Sequence, residues 1–109
     1  MIELNIDSFL HGKSVRNLSD HERGVVAREF YGLDELDGAE EGVLFFIPSE
    51  VDAIANSFFQ GMFSKSVRGF DSDEEFLKHY NFQANPTVFH QIEQGLRRIR
   101  TKRGSAFAH

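Results

Sequence analysis

Apolar and polar residues alternate at the start of the chain. Ile2, Leu4 and Ile6 are separated by polar side chains, which is the period-two pattern of a half-buried strand. Residues 11–13 contain a glycine and have the character of a turn, and residues 14–18 could return as a second strand. This part of the sequence therefore predicts a β-hairpin.

Helical spacing replaces the alternation after residue 18. Ser19 and Glu22 have the spacing of a capping box, in which each side chain satisfies a backbone N–H at the start of a helix. Gly32 suits the end of this helix, although residues 33–36 could add another turn. The side chains predicted to face inward are Val25, Val26, Phe30 and Leu33.

The most apolar segment is residues 43–47, which predicts a central strand covered on both faces. The segment after it allows two interpretations. A helix could begin at Ser49, because apolar residues continue at helical spacing from there. Alternatively, a loop could extend to Ala55, with Asn56 or Ser57 capping a shorter helix. The apolar pattern does not separate these two alternatives.

The last third of the chain predicts a helix, a short strand and a second helix. Ser72 and Glu75 form another capping box, residues 81–84 suit a strand, and Asn85-Pro86 is a strong helix start. The order β-β-α-β-α-α-β-α indicates one α/β domain over residues 1–103, a mixed β-sheet with helices packed against it. Residues 104–109 are predicted to be a disordered C-terminal tail.

Composition limits the class of protein. The 109 residues suit one domain, and the 40% hydrophobic and 27% charged content is that of a soluble globular protein. The absence of cysteine excludes disulfides and thiolate metal sites. No apolar run has the length of a membrane span, and the N-terminal residues lack the features of a signal peptide. We therefore expect a cytoplasmic protein without a membrane partner.

Charge is distributed unevenly along the chain. The first 96 residues contain all 17 acidic residues and 7 of the 12 basic ones, a net charge of −10. A body of this charge repels phosphate backbones and disfavours nucleic acid as a general partner. The remaining cations follow one another closely near the C-terminus and are candidate polyanion contacts: Arg97, Arg98, Arg100, Lys102 and Arg103. The competing interpretation is a helix end whose cations favour the helix dipole.

The residues that catalysis would require do not form a recognisable set. His21-Glu22 lacks the second histidine of a metalloprotease helix, since Val25 occupies that position. The chain contains no phosphate-binding glycine loop and no nucleophile elbow. The sequence therefore predicts no catalytic residues, no metal and no cofactor, and a binding protein is favoured over an enzyme.

Residues 42–62 resemble the strand, loop and helix of STAS-type domains. The apolar strand is followed by Val51-x-x-Ile54 and then by Asn56-Ser57-Phe58 at the start of a helix. This pattern is similar to a bacterial STAS-like family of unknown function, which is related to anti-sigma-factor antagonists. The resemblance extends over nearly the whole chain to about residue 100. It favours the loop before a helix that starts near Asn56.

The resemblance implies a regulatory module that acts through protein–protein contact. In the related antagonists, a partner kinase phosphorylates a serine at the start of this helix, and Ser57 is the matching residue. Ser57 could instead be a helix cap. The implied partner is a histidine-kinase-type ATPase or another regulator, and a homodimer is compatible with the sequence. The implied partner face comprises Arg16, Asp52, Asn56 and Phe58.

Overall fold

The computed structural model describes residues 1–11 and 15–107, with side chains described as far as residue 101. In chain order the elements are β1 (Ile2–Asn5), α1 (Ile6–Leu10), β2 (Asn17–Leu18), α2 (His21–Tyr31), α3 (Leu33–Leu36), β3 (Val43–Phe46), β4 (Ala53–Ile54), α4 (Asn56–Gly69), α5 (Asp73–His79), β5 (Tyr80–Gln83) and α6 (Pro86–Phe107). The predicted α/β class is confirmed.

Two small parallel sheets organise the strands. The larger has the order β1-β3-β5, and β2 pairs with β4 in the smaller one. The predicted mixed sheet is wrong, because all strand pairs in the described part of the chain are parallel. The strands of the larger sheet are joined by connections that contain α2 and α4, and crossovers of this length are what parallel neighbours require.

The predicted hairpin at the N-terminus is also wrong. A short helix, α1, begins at Ile6, and the Asn5 side chain accepts a hydrogen bond from the Asp7 N–H at its start. The chain therefore leaves the sheet after β1 instead of turning back along it, and β1 pairs with β3. Gly12, Lys13 and Ser14, which belong to the predicted turn and second strand, lie outside the described residues.

The larger sheet buries one face and leaves the other open. Phe45 on β3 is aligned with Phe82 on β5, and both side chains are buried. On the opposite face, Leu44 is half-buried and Phe46 is 39% exposed. The prediction that the central strand is covered on both faces is therefore wrong. Every residue of this segment is apolar, so the sequence does not show which face is covered. In the structure the helices cover only one of the two faces.

The helix α4 lies between α2 and α6. At its contact with α2, two glycines allow the backbones to touch. A Cβ atom at Gly24 would lie 2.2 Å from the Phe58 carbonyl oxygen, and one at Gly61 would lie 2.1 Å from the His21 carbonyl oxygen. Real Cβ atoms do not approach so closely, so these positions require glycine. The backbones of α2 and α4 therefore touch at two points.

This close approach explains an error in the predicted inward face of α2. Val26 and Phe30 are 54% and 48% exposed, while Gly24, Ala27 and Arg28 are buried. The small residues face α4 because the helix axes are close, and the larger apolar residues are displaced outward. The cap of α2 is Asp20 rather than Ser19, since the Asp20 carboxylate accepts the Glu22 N–H.

Three of the predicted helix starts agree with the structure. The helix α4 begins at Asn56, so the alternative with a preceding loop is confirmed, and β4 lies within that loop. Ser72 caps α5, and the Asn85 side chain accepts the Val88 N–H at the start of α6. The predicted domain boundary between residues 103 and 104 falls within α6, and the disorder of the tail stays a prediction.

Candidate functional site

A two-stranded ribbon brings two distant segments of the chain together. The Asp52 N–H donates to the Arg16 carbonyl oxygen over 2.7 Å, and the strands β2 and β4 continue from there. The Arg16 Nε atom also donates to Asp52 Oδ2 at 2.7 Å. Both side chains are exposed. The structure thus places these two members of the predicted partner face in direct contact.

The ribbon also fixes where α4 begins. The Ala55 N–H donates to the Leu18 carbonyl oxygen over 2.7 Å, and Ala55 has the extended backbone of an N-cap residue. No side chain caps the helix, so the suggested capping role of Ser57 is wrong. Ser57 is the second residue of α4, and its side chain is exposed. Its hydroxyl group is therefore accessible in the first helical turn.

The other proposed members of the face differ in accessibility. Asn56 is half-buried, and its Oδ1 atom is buried without a hydrogen-bond partner among the described residues. Phe58 is fully buried in the core, so its assignment to an exposed partner face is wrong. Its side chain lies on the inward side of α4, on the same face as Met62 four residues later.

A cavity of about 420 Å³ opens between the start of α4 and one face of α6. The Gln91 side chain connects the two sides, because its Oε1 atom accepts the Ile54 N–H at 2.8 Å. A second cavity of about 610 Å³ adjoins along the helices and shares Asn56, Arg97 and Arg98 with the first. We call the two together the α4–α6 groove, and its polar side chains are Asn56, Gln60, Gln91, Gln94, Arg97, Arg98 and Thr101.

The predicted polyanion contacts are divided by the structure. Arg97 and Arg98 line the groove, are exposed, and have no hydrogen-bond or ion-pair partner among the described side chains. Arg100 instead donates from Nε to Asp73 Oδ1 at 2.7 Å and from Nη2 to the Phe70 carbonyl oxygen. The side chains of Lys102 and Arg103 lie outside the described residues. Arg100 therefore holds α6 to α5, whereas Arg97 and Arg98 are available to a ligand.

On the α2 side of α4, Arg28 is the centre of a buried polar network. It is 8% exposed, and all five guanidinium N–H groups are used. They donate to Asp34, Asp37, Ser66 and the Met62 carbonyl oxygen, over distances of 2.7 to 3.0 Å. The network leaves no guanidinium donor for an external ligand, so its role is structural.

Two pKa shifts follow from this network. Hydrogen bonds from Arg28 and Lys65 lower the pKa of the Asp34 carboxyl below its ordinary value. Burial raises the pKa of Tyr80, and so does the hydrogen bond that its hydroxyl donates to the Asp37 carboxylate. At neutral pH the Asp34 carboxyl is therefore ionised and the Tyr80 hydroxyl is protonated, as their hydrogen bonds require.

Sequence reasoning missed the glutamines of the groove. Gln91, Gln94, Arg98 and Thr101 follow one another at helical spacing, and this polar stripe is a signal that could have been found. The sequence does not show that the stripe of α6 lies beside the first turn of α4. The structure therefore unites two candidate regions that sequence reasoning kept apart.

The chemistry available in the groove is recognition. Guanidinium groups bind carboxylates and phosphates, and side-chain amides can both donate and accept hydrogen bonds. No group of three or more histidine and carboxylate side chains is arranged to hold a metal ion within the described part of the chain. Among those same residues, no helix is both long and apolar enough to cross a membrane.

Comparison with known proteins gives no family. No protein-family model, no curated protein and no solved structure matches the chain. The resemblance to STAS-like domains therefore stays a prediction from the sequence.

Proposed function

We propose that this chain is a non-catalytic, STAS-like protein–protein interaction module with a regulatory role. The observation that carries the proposal is the contact between two segments, 36 residues apart at Arg16 and Asp52, on the ribbon that precedes α4. We define the proposed docking surface as the exposed Arg16, Asp52 and Ser57 together with the half-buried Asn56. Polar groups on a rigid ribbon and a helix start are suited to contact with a protein partner.

Phosphorylation of Ser57 would be the switch of this module. The hydroxyl is exposed in the first turn of α4, where the helix dipole favours negative charge. A phosphate group adds a charge of about −1.5 to −2 at neutral pH. The docking surface, which now carries the paired charges of Arg16 and Asp52, would become strongly anionic. The proposed partner is a histidine-kinase-type ATPase or another regulator.

The charge of residue 57 provides the test. Wild-type protein, Ser57→Glu and the matched control Ser8→Glu, which changes an exposed serine on α1, are used as baits in extracts of the native host. We expect a partner whose recovery is equal for wild type and the control but differs by about tenfold for Ser57→Glu. Equal recovery of every partner with all three baits would reject the switch.

The second candidate function is contact with nucleic acid through the basic end of α6. The lack of partners on Arg97 and Arg98 favours it. The commitment of Arg100 to Asp73 and the charge of −10 on the first 96 residues oppose it. A protein partner is therefore the better proposal, and the experiment below includes nucleic acid as a competing ligand.

A further inference from the structure

The α4–α6 groove has the length of a short peptide. On α6 it extends from Gln91 to Thr101, which is about 15 Å at a rise of 1.5 Å per residue. An extended chain advances about 3.3 Å per residue, so the groove corresponds to about 4 to 5 residues. It is open along one side, which allows a chain to enter and leave without unfolding of the module.

Arg97 and Arg98 give the groove a positive charge that nothing in the described structure neutralises. By contrast, Arg16, Arg28 and Arg100 are bound to carboxylates. Arg23 lies over the ring of Phe9. Two adjacent guanidinium groups without such partners can bind the carboxylates or phosphates of another molecule. This feature selects an acidic ligand.

Side-chain amides line the groove and offer hydrogen-bond donors and acceptors to a ligand. The Asn56 Oδ1 atom is buried out of reach of a ligand, so the amides that a ligand can contact are those of the accessible glutamines. Gln60, Gln91 and Gln94 present these amide groups along the groove. A peptide backbone supplies both the N–H groups and the carbonyl groups that such amides bind, and a simple anion does not supply the donors.

Together, these features lead us to propose that the α4–α6 groove binds an extended acidic peptide segment. Carboxylate side chains of the segment pair with Arg97 and Arg98, and its backbone amides bond to the side chains of Gln60 and Gln94. The inference rests on the proposed function, because it specifies the chemistry of the protein partner. It differs in naming a groove rather than the exposed surface around Ser57.

Nucleic acid is the less suitable occupant. A strand that followed the groove would meet two free arginines and then the acidic body of the protein. The groove residues also include no aromatic ring on which a base could stack. A peptide needs neither a continuous basic surface nor a stacking platform.

The test uses the full-length protein and a fluorescein-labelled peptide of six residues in which glutamate and serine alternate. Fluorescence anisotropy measures its binding, a glutamine-for-glutamate peptide is the ligand control, and single-stranded oligothymidine of the same net charge is the competitor. We expect the acidic peptide to bind at least tenfold more tightly than the other two. Amide chemical shifts should change at residues 55–57 and 91–101.

Variants then assign the binding to the groove. The double variant R97Q/R98Q should weaken binding of the acidic peptide at least tenfold, while K65Q/K78Q, with the same loss of charge, should leave it within twofold. Gln94→Ala should weaken it several-fold. Cooperative urea unfolding shows that each variant is folded.

Three outcomes would overturn the inference: equal binding of the glutamine peptide, equal loss in both double variants, or tighter binding of oligothymidine. A partner that still responds to Ser57→Glu would then leave the proposed function intact.

Discussion

The two sides of α4 contain arginines in opposite situations. On the α2 side, Arg28 is buried and each of its five donors has an acceptor. On the α6 side, Arg97 and Arg98 are exposed and have no partner in the described structure. The helix α4 thus lies between a complete hydrogen-bond network around Arg28 and two arginines that have no acceptor in the described structure.

This difference teaches how to separate structural from functional charge. A buried cation must be paired, because an unpaired charge in the interior costs far more than one in water. An exposed arginine has no such requirement and can remain available to a ligand at little cost to stability. The number of satisfied donors therefore distinguishes the two roles more clearly than residue type does.

The largest difference should appear between the replacement of the buried arginine and the replacement of an exposed one. Arg28→Ala should lower the free energy of unfolding by about 3 kcal/mol, because Asp37 and Ser66 lose their buried partner. Arg97→Ala should change it by no more than about 0.5 kcal/mol. Urea unfolding of both variants measures the difference, and similar losses would show that the comparison is mistaken.

A smaller effect should follow from crowding of the α2–α4 contact that supports the Arg28 network. Gly61→Ala places a Cβ atom 2.1 Å from the His21 carbonyl oxygen, against backbone that can move only with its helix. We expect a loss of about 2 kcal/mol in unfolding free energy. Gly69→Ala is the control, since a Cβ atom there has no neighbour within 4 Å. If both variants unfold at the wild-type urea concentration, the close helix contact is not rigid.

The smallest effect concerns acid pH. The pKa of Asp34 is lower in the folded protein than in the unfolded chain, where it is about 3.9. Its contribution to stability is therefore complete above that value and is lost as the pH falls through the folded-state pKa. Asp34→Asn should flatten the dependence of stability on pH below about pH 4.

Urea midpoints between pH 2 and pH 7 test this dependence, with Glu35→Gln as the control because it removes a neighbouring exposed carboxylate outside the network. A wild-type slope in Asp34→Asn would show that its ion pairs with Arg28 and Lys65 do not stabilise the fold.

Local signals predicted where several elements begin. The Ser72 capping box and the Asn85-Pro86 helix start each need only neighbouring residues, and both are present in the structure. The error on α2 has a different origin. Val26 and Phe30 have the spacing of a buried face, but the glycine contact between α2 and α4 turns a different face inward. Helical periodicity contains no information about how close a second helix will come.

The candidate site shows the same division. Ser57 and the cationic positions at 97 and 98 could be selected from sequence, because motif position and charge are properties of the chain. The polar stripe of α6 is also visible in the sequence, but its position beside the first turn of α4 is not, nor is the unpartnered Asn56 Oδ1, because hydrogen-bond satisfaction depends on which elements are neighbours.

The sequence by itself determined the α/β class, the starts of α5 and α6, and the uneven distribution of charge. These features depend on caps, residue periodicity and composition, which act over a few residues along the chain. The tertiary structure decided the parallel pairing of β1 with β3, the open face at Phe46 and the completion of the Arg28 network. It also placed the α6 arginines beside the start of α4, because non-local packing, rather than local preference, fixes which surfaces meet.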